Sequence, residues 1–101
     1  MARARAGSTS DVPVGEGRVV DAVGKTIALF NVAGRYYAID NTCAHRGGPL
    51  GEGELDGTVV TCPWHGWCWD VTSGANANNP AIKVPCFPVT VDQGEVFVEL
   101  P

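Results

Sequence analysis

"TCPWHGWCWD", residues 61–70, places two cysteines, one histidine and three tryptophans in one short segment. Upstream, "NTCAHRGGPL", residues 41–50, repeats the theme with one cysteine and one histidine. These two histidines are the only ones in the chain. Each stands close to a cysteine, inside a run of glycine and proline that breaks regular structure. Both segments therefore read as loops or hairpin tips, and the scaffold that holds them must be found on either side.

That scaffold reads as β. "RVVDAVGKTIALFNVAGRYYAID", residues 18–40, contains two or three runs rich in Val, Ile, Phe and Tyr, cut at Gly24 and at residues 33–35. Asp56-Gly57 offers a hairpin turn into "TVVTC". In "FPVTVDQGEVFVEL", residues 87–100, Val89, Val91, Val96, Val98 and Leu100 alternate with other residues around a "DQGE" turn. The N-terminal Ala2, Ala4 and Ala6 alternate with Arg3 and Arg5, which predicts a short first strand. No long segment has a 3.6-residue apolar period, and at most one helical turn is expected after Pro49. Short, evenly spaced strands with Gly and Pro between them predict an all-β sandwich or barrel. A strand pair near residues 54–61 would set the two Cys/His loops side by side.

Composition bounds the function. A chain of 101 residues with 45% hydrophobic and 18% charged residues suits one globular domain. Its formal charge of −4 argues against nucleic acid and fits a basic partner protein. No apolar run approaches the roughly 20 residues that span a bilayer. "MARARAGSTS" has no apolar stretch behind its arginines, so no secretory signal is expected and the cytoplasm is the expected compartment. Thiols stay reduced there, so four cysteines suggest metal or redox chemistry more than disulfides.

The candidate site is Cys43-x-His45 and Cys62-x-x-His65, separated by residues 46–61. Thiolate sulfur and imidazole nitrogen are donors for zinc and for iron–sulfur centres. Two cysteines and two histidines would satisfy tetrahedral zinc. Zinc pairs, however, are commonly spaced by two or more residues. A single residue between Cys43 and His45 suits a pair that straddles two metals, one ligand on each.

With "CAHRGGPL" and "CPWHGW" around these ligands, the chain resembles the Rieske [2Fe–2S] family. The resemblance implies one [2Fe–2S] cluster per chain. Cys43 and Cys62 would bind the inner iron, and His45 and His65 the outer one. It implies a Rieske fold: an antiparallel sandwich or barrel base carrying a small three-stranded cluster-binding subdomain. The subdomain would span about residues 41–71, and the base about 1–40 and 72–101. Gly48, Leu50, Trp64, Gly66 and Trp67 would surround the cluster. Gly47, Gly48, Gly51 and Gly66 are expected to let the backbone approach closely and adopt positive φ. Trp64 is expected at the tip as a lid or docking contact, and Trp69 in ordinary core packing.

Departures from the family pattern narrow the kind. Respiratory and photosynthetic members carry a disulfide whose cysteines would fall at Gly48 and Trp64, so that brace is absent. Ring-hydroxylating oxygenases add a mononuclear iron site, and both histidines here are already used. The resemblance therefore implies a non-enzymatic electron carrier, like the ferredoxin components of aromatic-ring dioxygenases. Its partners would be a flavin-dependent reductase and a terminal oxygenase, met transiently by a monomer. The alternatives are the small Rieske-like subunit of an assimilatory nitrite reductase and, more distantly, a structural zinc module. High-potential members have sulfur-bonding hydroxyls where this chain has Trp67 and Trp69, so a potential low in the family range is expected. Cys68 and Cys86 fall outside the ligand set and are expected as small buried hydrophobes.

Overall fold

A computed structural model describes residues 2–42, 48–64 and 66–100. Ten strands occur among them: β1 Ala2–Ser8, β2 Gly17–Ala22, β3 Lys25–Val32, β4 Arg35–Asp40, β5 Glu54–Asp56, β6 Val59–Thr61, β7 Cys68–Asp70, β8 Cys86–Phe87, β9 Val89–Asp92 and β10 Glu95–Leu100. They form three sheets of order β1-β10-β9, β2-β3-β4-β8 and β5-β6-β7. Every strand pair is antiparallel. The expected first strand is present and pairs with β10, from Ala2↔Leu100 onward. The single turn expected after Pro49 is a 3₁₀ turn at Leu50–Glu52.

β3 explains the layering. Its "TIALFNV" is apolar on both faces, and Ile27, Ala28, Leu29 and Phe30 are all fully buried. A strand covered on both faces reads as a continuous apolar run rather than an alternation. Ile27 and Leu29 pack with Val96, Val98 and Leu100 of β10 in one core. Ala28 and Phe30 point the other way, into a second core with Leu50, Val60, Cys62 and Trp69. β4 divides likewise, with Ala38 in the first core and Ile39 in the second. The four-stranded sheet is thus a septum, with one three-stranded sheet on each side. Burying each large apolar side chain contributes roughly 1.5–3 kcal/mol.

Local turns fix the registers. Val23-Gly24, Ala33-Gly34 and Gln93-Gly94 each connect two strands, and all six residues have positive φ. Two positive φ values in succession are the type I′ geometry that matches strand twist. Asn31, buried on β3, donates from Nδ2 to the Val12 carbonyl (2.8 Å) and accepts the Gly34 N–H at Oδ1 (2.9 Å).

β5, β6 and β7 lie within one excursion of the chain. β4 and β8 pair directly, Ile39↔Cys86 and Ala38↔Phe87. The Asp40 N–H also donates to the Pro85 carbonyl (2.9 Å). Residues 41–85 therefore leave and re-enter the middle sheet at a single neck.

Candidate metal centre

The first Cys/His loop springs from the end of β4. The Asn41 carbonyl accepts the Leu50 N–H and its side-chain Oδ1 accepts the Gly51 N–H, both at 2.8 Å. One asparagine, 8% exposed, thus ties the outgoing strand to the returning turn by two bonds. An isolated bridge between Thr42 and Pro49 closes the neck. The returning turn is seated on β2, because a Cβ at Gly51 would lie 2.9 Å from the Arg18 carbonyl carbon and oxygen. Glycine is required there for close approach.

The second loop joins β6 to β7. The Cys62 N–H donates to the Trp67 carbonyl at 2.7 Å, which extends the β6–β7 ladder beyond Thr61↔Cys68. The chain then turns through Pro63, Trp64 and Gly66. Gly66 has φ +74°, a conformation that favours glycine. Trp64 is 50% exposed at this tip, whereas Trp67 is half-buried.

The two loops meet at Gly48 and Cys62. A Cβ at Gly48 would stand 2.6 Å from the Cys62 Sγ and 3.0 Å from the Trp64 Cγ. Gly48 is needed because sulfur and indole occupy the space a side chain would fill. Gly48 and Gly51 are absent from the positive-φ glycines, so the expectation of positive φ holds at Gly66 and fails at these two. Close packing selects them instead. Cys62 is 1% exposed and shares its core with Leu50, Val60 and Trp69, which keep water from its sulfur.

Cys43, His45 and His65, with Gly47 and Arg46, lie outside the described residues. Cys62 is the expected ligand whose surroundings are seen. The donor chemistry and the glycine cradle fit an iron–sulfur group: a buried sulfur lies where the two loops converge, with backbone close beside it. Gly48, Leu50, Trp64, Gly66 and Trp67 all belong to these two loops or their immediate roots.

The other cysteines correct an expectation. Cys86 is exposed and Cys68 half-buried; neither is a core residue. Alternation is the reason, since Trp69 and Phe87 take the inward positions of β7 and β8 and turn their cysteine neighbours outward. Both are free thiols. Cys68 Sγ lies 3.5 Å from Thr61 Oγ1, and Cys86 Sγ donates to the Thr72 carbonyl at 3.8 Å. Desolvation, and then the negative charge of Asp70, push the Cys86 thiol pKa up.

Two features escaped the sequence. Asn41, the loop clamp, is signalled only by an asparagine at a strand end. Trp69 is wholly buried, yet its indole N–H meets no acceptor among the described residues. Elsewhere, no helix is long and apolar enough to cross a membrane among the described residues.

Comparison with known proteins agrees with this arrangement. A family model described as a Rieske [2Fe-2S] domain matches residues 3–88. Ferredoxin CarAc of Metapseudomonas resinovorans is 39% identical over 93 residues, covering 90% of this chain and 87% of that protein. The 3-phenylpropionate/cinnamic acid dioxygenase ferredoxin subunit of Escherichia coli K12 is 38% identical, covering 100% of this chain and 96% of its own length. Among solved structures, a chain of the complex of reduced oxygenase and oxidized ferredoxin in carbazole 1,9a-dioxygenase superposes with a TM-score of 0.86. It is 35% identical, with 98% of this chain and 97% of that one covered. The chain belongs to the Rieske [2Fe–2S] family, whose members carry one such cluster per domain.

Proposed function

We propose that this chain carries single electrons from a flavin-dependent reductase to a terminal oxygenase of the aromatic-ring dioxygenase type. The observation that carries this reading is the near-complete mutual coverage with a dioxygenase ferredoxin subunit at 38% identity. The related complex of an oxygenase with a ferredoxin supports an oxygenase as one partner. Cys43 and Cys62 would hold the cluster by thiolate and His45 and His65 by imidazole, with about residues 41–71 as the cluster-bearing part of one domain. Free thiols at Cys68 and Cys86 suit a reducing cytoplasm, where the chain would act as a monomer.

When bound, the [2Fe–2S] group supplies a site that gains and loses one electron. The chain's own residues do the rest. Asn41 and the Thr42–Pro49 bridge hold the neck of the first loop, and the Cys62–Trp67 bond holds that of the second. A fixed loop reorganises little when charge changes. Leu50, Val60 and Trp69 keep the Cys62 side dry, which tunes a metal site through its dielectric. Pro63 and Trp64 offer an exposed tip against which a partner can dock in a small, transient contact.

The test is reconstitution. The chain purified with iron should show the visible absorption of a [2Fe–2S] centre and couple NADH oxidation by a flavin reductase to oxygenase turnover. Trp64→Ala should slow turnover at sub-saturating carrier while leaving the absorption intact. A purified chain with full cluster content that no reductase can reduce would refute the carrier role.

A further inference from the structure

β4 is left open along half of its outer edge. It pairs with β3 from Arg35 to Asp40, but β8 covers only Ala38 and Ile39. On that side the Asp40 N–H donates to the Pro85 carbonyl. Backbone groups of a strand face alternate sides, so those of Ala38 and Tyr36 point the same way as those of Asp40. Ala38 meets Phe87 there. Beyond Phe87 the chain leaves this sheet and runs on as β9 of the other one. The Tyr36 N–H and C=O therefore face an edge with no strand on it, and neither bonds to another described residue.

β9 presents a matching edge. It pairs only with β10, and the Glu99 N–H donates to the Pro88 carbonyl. By the same alternation Thr90 and Asp92 turn their backbone groups to β10, and Val89 and Val91 turn theirs outward. Between the two edges lies a cleft of about 360 Å³ lined by Gly34, Arg35, Tyr36, Tyr37, Val89 and Val91. A second cleft of about 310 Å³ shares Tyr36, Tyr37 and Val89 and continues past Phe87 and Pro88. Val91 is 47% exposed. Arg35 is the single lysine, arginine or acidic residue lining either cleft, and it makes no ion pair among the described residues.

We propose that this seam binds an extended acidic segment of the terminal oxygenase, added as a strand on the open edge of β4 with a carboxylate on Arg35. The inference rests on the reading of the chain as an electron donor to an oxygenase. Main-chain bonds to Tyr36, and across the cleft to Val89 and Val91, supply affinity in such strand addition, and alternate side chains supply selectivity. The apolar and aromatic walls take the inward side chains, and the unpaired guanidinium selects an acid beside them. The first Cys/His loop springs from the other end of β4. Arg35 and Asp40 are five residues apart, about 17 Å at roughly 3.3 Å per residue. A segment held in the seam leaves the exposed tip free. It acts as a tether that raises the effective concentration of one protein at the other, and it leaves electron transfer itself to the tip.

The experiment is residue-resolved hydrogen exchange on the cluster-loaded chain, alone and with saturating oxygenase. Alone, the Tyr36 amide should exchange faster than that of Ala38, because only Ala38 has a strand beside it. With oxygenase, Tyr36 exchange should slow on the order of tenfold, as a newly paired amide does. Arg35→Glu alters one exposed side chain, so folding survives. It should raise the half-saturating concentration of carrier in oxygenase turnover by roughly fivefold, the worth of an exposed ion pair lost and reversed. Maximal rate and midpoint potential should stay at parental values. Full turnover with unchanged Tyr36 exchange would overturn the proposal. Protection that grows with chain concentration in the absence of oxygenase would make the occupant a second copy and overturn it equally. A fully loaded chain that passes no electron to any oxygenase would overturn the functional reading, and this inference with it.

Discussion

Replacing Gly48 by alanine should abolish normal cluster assembly. The added Cβ would lie 2.6 Å from the Cys62 Sγ, 3.0 Å from the Trp64 Cγ and 3.1 Å from the Trp64 Cβ. Ordinary contact begins at 3.4 Å, so the sulfur and methyl must separate by about a further 0.8 Å. Cys62 is 1% exposed and hemmed in by its core, so it has little room to retreat. Metal–ligand distances tolerate only about 0.2 Å. The displacement is therefore several times what a ligand can absorb. Without iron the same crowding should cost about 1–3 kcal/mol, as overpacked sites do. For a chain of this size that lowers Tm by about 4–8 °C per kcal/mol. Gly57→Ala is the control: it has φ +63° but no atom within 4 Å of its added Cβ, so it bears backbone strain alone. The assay is iron and acid-labile sulfide per chain, with thermal melts of the metal-free proteins. Gly57→Ala should keep its cluster and Gly48→Ala should lose it. A Gly48→Ala protein with parental iron, sulfide and melting temperature would refute the cradle argument.

Two further outcomes are expected. Val23 is β-branched, 80% exposed and held at φ 49° in the β2–β3 turn, so Val23→Asn should raise stability by about 1 kcal/mol in urea unfolding. Cys86, its thiol pKa raised by burial and by Asp70, should alkylate more slowly at pH 8 than the same thiol in urea, and Asp70→Asn should speed the reaction. The folded state holds that proton more tightly, so this contribution to stability is full below the ordinary thiol pKa. It is lost as pH rises through the folded value.

Much of the scaffold was legible because short-range chemistry wrote it. The Gly24, Gly34 and Gly94 turns set hairpin registers locally, and the alternation of Val96, Val98 and Leu100 gave the inward face of β10. The family was legible from the Cys-x-His and Cys-x-x-His spacing, which is a property of the sequence itself. What failed depended on partners distant in sequence. Cys68 and Cys86 point outward because Trp69 and Phe87 take the inward positions, and strands of two or three residues show no period to reveal it. Gly48 and Gly51 are glycine because of Cys62 and Arg18, neither adjacent in sequence. The Asn41 clamp and the solitary Trp69 N–H likewise depend on where another loop comes to rest.

The neck at β4 and β8 has a consequence for how iron leaves. The two cores share only the middle sheet, and the excursion of residues 41–85 is held to it by the neck, by the seat of Gly51 on β2 and by the packing of Leu50, Val60 and Trp69 on Ala28, Phe30 and Ile39, all on one face. Such a segment can open as a cooperative unit while the β1–β10–β9 side stays closed. Bleaching of the visible colour then reports a local event, and amide exchange in Val96 and Val98 reports a separate, costlier one. A chain that has lost its iron by this route keeps its base folded, and with it the template on which the loops can close again around fresh metal.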